Sequence, residues 1–168
     1  MKVRIKAKAA SVRSEAEVVN AKGEVLFRTE TDPLSSPRRT RVMDAAGNEI
    51  AAITTVRLDE SKRAHHVVMA SGDTYDCVRR FRNPASTTES IITVKGTGWQ
   101  SLTRRAWTNR FEIRAGAGRV LAVAKQSPAA LGDAYDVEVK DETHLAELVI
   151  FSLIIRYIMK QDNPVPLT

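Results

Sequence analysis

Up to about residue 140 the hydrophobic positions recur at every second residue; after it they run together. Lys2, Arg4, Lys6 and Lys8 alternate with Val3, Ile5, Ala7 and Ala9, the period of a strand with one wet face. Tyr135-Asp136-Val137-Glu138-Val139-Lys140 is a second clean alternation. Residues 18–27 and 41–50 each set a polar residue and a glycine between two strand-like halves, and residues 67–75 and 111–121 do the same. That is hairpin chemistry. The turn glycines Gly23, Gly47, Gly72, Gly96 and Gly118 fall about two dozen residues apart, so one hairpin unit is used several times over. Residues 31–37, 83–88 and 127–133 read as turn-rich connections, none long enough to be a domain linker. The runs add up to about twelve strands, all before one helix.

That helix is the segment Leu145 to Met159. Val149, Ile150, Phe151, Leu153, Ile154 and Ile155 point in nearly every direction round its axis, so it must be surrounded by lipid or by protein. Fifteen helical residues span roughly 22 Å, short of the ~30 Å hydrocarbon core of a bilayer. Glu147, Ser152 and Arg156 interrupt it, and an arginine in mid-span is costly. The segment therefore reads as a core helix and not as a transmembrane span. Asp141 or Thr143 is placed to cap its N-terminus through backbone N–H groups, Glu142 and Lys160 suit the two ends of the dipole, and Asn163-Pro164-Val165-Pro166 stops it.

A flat sheet covers one side of a helix, and a sandwich with the helix outside requires a polar helix face that this one lacks. A closed barrel covers every side and leaves no sheet edge. Eight strands enclose only side chains, whereas a helix with its side chains is ~10 Å across, so about twelve strands is the right order. The expected fold is mostly β: a closed antiparallel barrel of about twelve strands enclosing a central apolar C-terminal α-helix. The domain is predicted over 1–163, with the helix over 143–160 and a short tail over 164–168.

Composition narrows the setting. A chain of 168 residues with 43% hydrophobic and 27% charged residues is an ordinary globular domain. Its one cysteine, Cys77, cannot form an internal disulfide, which suits a reducing compartment. The first residues lack the apolar run of a signal peptide. A cytoplasmic protein is expected, peripheral to the membrane if it reads lipid.

Several of these features together resemble one family. The repeated hairpin of the type Asp44-Ala45-Ala46-Gly47-Asn48-Glu49, the strand Leu131 to Val139 and the acidic turn Lys140-Asp141-Glu142 leading into the apolar helix are similar to the LURP-one-related proteins, within the Tubby C-terminal-like superfamily. The resemblance spans Glu17 to Asp162. It implies a twelve-stranded antiparallel barrel around a central helix, in a family whose members mostly have no established activity. Among relatives it implies phosphoinositide binding for Tubby domains and membrane-lipid association for scramblases, although the scramblases' palmitoylation cysteine cluster is missing here.

No enzyme is expected. His65 and His66 project to opposite faces of one strand and cannot share a metal, and His144 sits in the first helical turn in a capping or packing role. There is no G-x-S-x-G elbow, P-loop or G-x-G-x-x-G stretch; Gly96-Thr97-Gly98 and Gly116-Ala117-Gly118 read as turns. Neither a metal nor a cofactor is implied.

The charge carries the functional expectation. The net charge is +6 and the sequence pI about 9.7, with the basic residues clustered. Lys2, Arg4, Lys6 and Lys8 share one strand face, and Arg38, Arg39 and Arg41 form a second group; Arg79, Arg80 and Arg82, then Arg104 and Arg105, form two more. Such faces attract phosphates, and the first two groups are the candidate ligand-binding residues. Anionic phospholipid headgroups are the first partner class and a protein partner on a scaffold is the alternative. Nucleic acid ranks third, because only Phe81, Trp99 and Trp107 neighbour the clusters and stacking recognition needs more exposed rings.

Overall fold

The computed structural model describes residues 1–7, 14–32, 34, 37–57, 63–83, 86–104, 110–127 and 134–162. Twelve strands form a closed antiparallel barrel: β1 (Lys2–Ala7), β2 (Ser14–Asn20), β3 (Val25–Asp32), β4 (Arg38–Asp44), β5 (Glu49–Arg57), β6 (Arg63–Met69), β7 (Thr74–Asn83), β8 (Ser86–Lys95), β9 (Trp99–Arg104), β10 (Arg110–Arg114), β11 (Val120–Gln126) and β12 (Ala134–Val139). Each strand pairs with its sequence neighbours, and β1 pairs with β12 to close the ring.

Tight hairpins at one end are built as the sequence indicates. Gly23, Gly47, Gly72, Gly96 and Gly118 all have positive φ, which only glycine adopts without strain. In the second hairpin the Asp44 carboxylate accepts the backbone N–H groups of Ala46 and Asn48 at 3.0 and 2.9 Å, which holds the Asp44 carboxyl below its ordinary range. At the first, Asn20 Oδ1 receives Lys22 and Glu24 in the same way. Two of the three connections expected between hairpins are shorter than predicted. Thr31 and Asp32 belong to β3, Asn83 to β7 and Ser86 already to β8, whereas the third keeps its bounds of 127–133. Strand pairing satisfies more backbone groups than a loop would. Residues 33, 35, 36, 84, 85 and 128–133 of those connections and the tail 163–168 lie outside the described residues.

The helix fills the barrel. After a 3-10 turn at Glu142–His144, α1 runs Leu145–Asp162, two residues later at each end than predicted. Leu148, Val149, Ile150, Phe151, Ile154, Ile155, Ile158 and Met159 are buried round its full circumference against the inward faces of the strands. Phe151 meets the rings of Tyr75 and Trp99 edge to face, each at 5.6 Å. Ser152 is tolerated because its hydroxyl donates to the Leu148 carbonyl at 2.7 Å. Glu147 stands near Tyr75, at the mouth with the tight turns. Arg156 is buried deeper, its guanidinium 5.6 Å from the Tyr135 ring.

The helix entry differs from the expected cap. The Asp141 side chain makes no cap bond to the backbone. The tighter 3-10 turn instead uses the Asp141 carbonyl, which accepts the His144 N–H at 3.2 Å. The freed carboxylate takes the Thr143 hydroxyl on one oxygen, with His144 Nδ1 at 3.0 Å and Arg119 at 3.9 Å from the other. These groups, the Thr143 bond first, hold its carboxyl below the ordinary range.

The packing and the entry turn each generate a test. Phe151→Ala should cost about 3–5 kcal/mol in urea unfolding, the usual toll for emptying an aromatic site in a sealed core; a loss under ~1 kcal/mol would mean that the barrel does not close on this ring. A depressed carboxyl stabilises the fold above its unfolded pKa, near 4, and that contribution disappears as pH falls through the folded value. Asp141→Asn should therefore melt below wild type at pH 6, with the gap closing below about pH 4. A gap independent of pH would show that the carboxylate charge has no part in holding the turn.

Candidate functional site

On β1, Val3 and Ile5 are buried in the lumen, which leaves Lys2, Arg4 and Lys6 on the outer wall. The period of two thus places these three together as predicted; Lys8 lies outside the described residues. The neighbours they acquire come from the far end of the chain. In the β1–β12 register Lys2 stands opposite Glu138 and Arg4 opposite Asp136, and on the next strand Lys125 stands opposite Asp136. Arg4 Nε lies 2.7 Å from Asp136 Oδ1, and this bond with its ion pair raises the Arg4 pKa. Lys6 stands opposite Glu17 on β2. Although each of the three lysines thus has an acid across a strand, Lys2, Lys6, Lys125 and Glu138 make no ion pair among the described residues.

Lys2, Arg4, Lys6, Lys125, Asp136 and Glu138 line a groove of about 620 Å³ over the seam where the barrel closes. Four cations face two carboxylates there, so the lining carries a net charge of 4 − 2 = +2. The first hairpin bounds it through Asn20 and Gly23.

The second basic group separates. On β4, Arg38 shares the inward face with Thr40 and Val42, and its guanidinium carbon lies 4.1 Å from the centre of the Tyr157 ring. Arg39 and Arg41 face outward, where Glu49 stands 3.8 and 3.4 Å away. Between them and the groove lie β2 and β3 with the half-buried acids Glu17 and Glu30. The β1 and β4 clusters are therefore two separate groups. Of the third group, Arg79 packs on the Phe81 ring at 4.7 Å and Arg80 is exposed; of the fourth, Arg105 lies outside the described residues.

Sequence reasoning did not find Lys125, Asp136 or Glu138 as site residues. Their signal was present, since Asp136 and Glu138 alternate with buried Val137 and Val139, but which strand they would flank is a non-local fact.

The chemistry-bearing residues elsewhere have packing roles. His65 is buried with Nδ1 2.9 Å from the Thr55 hydroxyl, whereas His66 faces outward 2.7 Å from Asp76, so the pair does point to opposite sides. Burial pushes the Cys77 thiol up to about 12, which leaves it inert at neutral pH. Trp99 is buried between Phe151 and His144. Among the described residues no group of three His, Cys, Asp or Glu could hold a metal ion. Likewise, among them no helix is long and apolar enough to cross a membrane.

Comparison with known proteins fits this architecture. The crystal structure of a protein from Arabidopsis thaliana superposes with a TM-score of 0.52 over 89% of this chain and 88% of that one, at 11% identity, a likeness of fold alone. No curated protein matches the sequence. Residues 1–156 match the family described as LURP-one-related, and the chain belongs to that family.

Proposed function

We propose that this barrel is a binding module without catalytic chemistry, and that it takes an anionic, phosphate-bearing group in the groove over the β1–β12 seam. The observation that carries the reading is the set of three lysines, Lys2, Lys6 and Lys125, that converge on the groove with no acid paired to them among the described residues. Lys22, Lys95 and Lys140 make no ion pair among the described residues either, so what sets Lys2, Lys6 and Lys125 apart is their convergence on one concavity. Cations left open round a concavity lose less by meeting a phosphate, because no protein ion pair has to break first. The anionic headgroups of a membrane surface supply such phosphates, which places the protein at the cytoplasmic leaflet as a peripheral component. Nucleic acid is disfavoured by the burial of Trp99, which removes it as a stacking platform. A scaffold for a protein partner is the alternative, and it differs in needing no anion.

Each lysine near an anionic surface contributes on the order of 1 kcal/mol. Replacing Lys2, Lys6 and Lys125 by serine should therefore weaken co-sedimentation with anionic vesicles by about two decades at low salt. The wild-type interaction should fade as ionic strength rises toward 0.5 M or so, where the Debye length shrinks to a few ångströms. Arg39→Ser with Arg41→Ser should change it far less, since Glu49 already stands against both. Wild type and triple variant sedimenting alike, or neither binding, would remove the lipid reading in favour of the scaffold.

A further inference from the structure

The groove is not uniformly basic, and its acids are placed with as much regularity as its lysines. Asp136 and Glu138 project from β12 through the middle of the site, with β1 lysines on one flank and Lys125 on the other. Asp136 is occupied by Arg4, through Nε at 2.7 Å and Nη2 at 3.5 Å. Glu138 is exposed, opposes Lys2 in register, and has no ion pair among the described residues. A surface that holds a bare polyanion gains nothing from a free carboxylate in the row next to Lys125 and Arg4, because like charge across so short a distance repels the ligand. A ligand that itself carries both signs turns that carboxylate into a contact.

We infer that the group bound in this groove is a phosphate ester bearing an ammonium on the same small headgroup, with phosphate toward Lys125 and Lys6 and the ammonium at Glu138. This rests on the phosphate-binding reading above and adds the sign pattern of the ligand. The spacing agrees: Glu138 lies one pleat repeat, about 7 Å, along the wall from the row that holds Lys125 and Asp136. A compact headgroup bridges that distance and a single phosphate does not. The Arg4–Asp136 pair lies between the two ends. It supplies a fixed donor edge while sparing the ligand one negative charge that would otherwise oppose its phosphate. The resulting specificity is the rejection of headgroups with negative charge alone, through an unpaired carboxylate left facing them.

Two sources share this chemistry, a lipid headgroup in a membrane and the free phosphodiester, so the test carries both. Full-length wild type and Glu138→Gln are compared on vesicles of equal surface charge. One set has a phosphate–glycerol headgroup, the other a phosphate–ethanolamine headgroup with its ammonium, brought to the same surface charge with an anionic amphiphile that carries no phosphate. The corresponding soluble glycerophosphodiesters are titrated in parallel. Wild type should prefer the ammonium-bearing headgroup by about threefold to fivefold, the weight of one exposed ion pair. Glu138→Gln should bring that ratio to about one by gaining affinity for the glycerol headgroup, a change that a merely damaged fold would not produce. The same preference with soluble diesters assigns the contact to the headgroup itself; a preference on vesicles alone assigns it to a membrane-presented headgroup. Equal wild-type binding to both headgroups overturns the ammonium contact while leaving phosphate binding intact. Absence of binding to either overturns both.

Discussion

A helix that is apolar on every side cannot be left in water and cannot be half covered. Buried positions such as Val149, Phe151, Ile154 and Ile158 face different sectors of the wall, and a fully buried large side chain is worth roughly 1.5–3 kcal/mol only if all of it is enclosed. Everything else in the architecture follows from that demand. The ring needs enough strands to admit a body ~10 Å wide. Its strands mix small and large residues inside to fit the helix, Ala51, Ala122, Val18 and Val67 beside Trp99, Phe111 and Tyr135. The first strand must also find the last, because an unclosed sheet would leave one helix sector wet.

With the core sealed from within, the outer wall is relieved of any packing duty, and charge chemistry takes over. Arg4 with Asp136, Arg41 with Glu49 and Arg114 with Glu112 are cross-strand or near-neighbour pairs of opposite sign. Individually such exposed pairs stabilise little. Together they keep a basic chain from presenting one continuous positive surface. The pairs engage arginines, whereas the lysines among the described residues stay unpaired, and three of those lysines gather over one groove. The interior has its own polar layer toward the helix C-terminus, where Thr31 meets Thr40 at 2.8 Å and Ser90 meets Thr103 at 2.9 Å. There the hydroxyls satisfy one another, with Thr31, Ser90 and Thr103 buried and Thr40 half-buried.

The parts of this molecule that were legible in the sequence are those set by local periodicity. Alternation gave the strands, the recurring glycines gave the hairpins, and a helix lacking a polar face gave the need for closure. Arg38 shows the limit. Counted with Arg39 and Arg41 it looks like a surface cluster, yet alternation alone assigns it to the face of Val42, and the ring of Tyr157 gives its guanidinium a place inside. The helix entry failed for a subtler reason: Asp141 and Thr143 are both good caps, and the chain used them on each other instead of on the backbone. The site itself was half visible, because Lys2, Arg4 and Lys6 share a strand. Its other half depends on the pairing of residue 4 with residue 136, which no local pattern encodes.

That last dependence ties the site to the fold. Groove residues come from β1, β2, β11 and β12, the two ends of the chain, and Arg4 and Asp136 are 132 positions apart in sequence. Bringing such distant segments together is the entropically expensive and kinetically late part of assembling a non-local β topology. The groove consequently does not exist in any partly folded state that lacks the seam. A group that bridges Lys6, Lys125 and Glu138 would bind the closed barrel and not the open one, so occupancy must stabilise closure by mass action. On the proposed reading, closure of the seam and binding of the ligand are one coupled equilibrium. The hairpins elsewhere on the wall, each closed by its own turn, offer no such coupling.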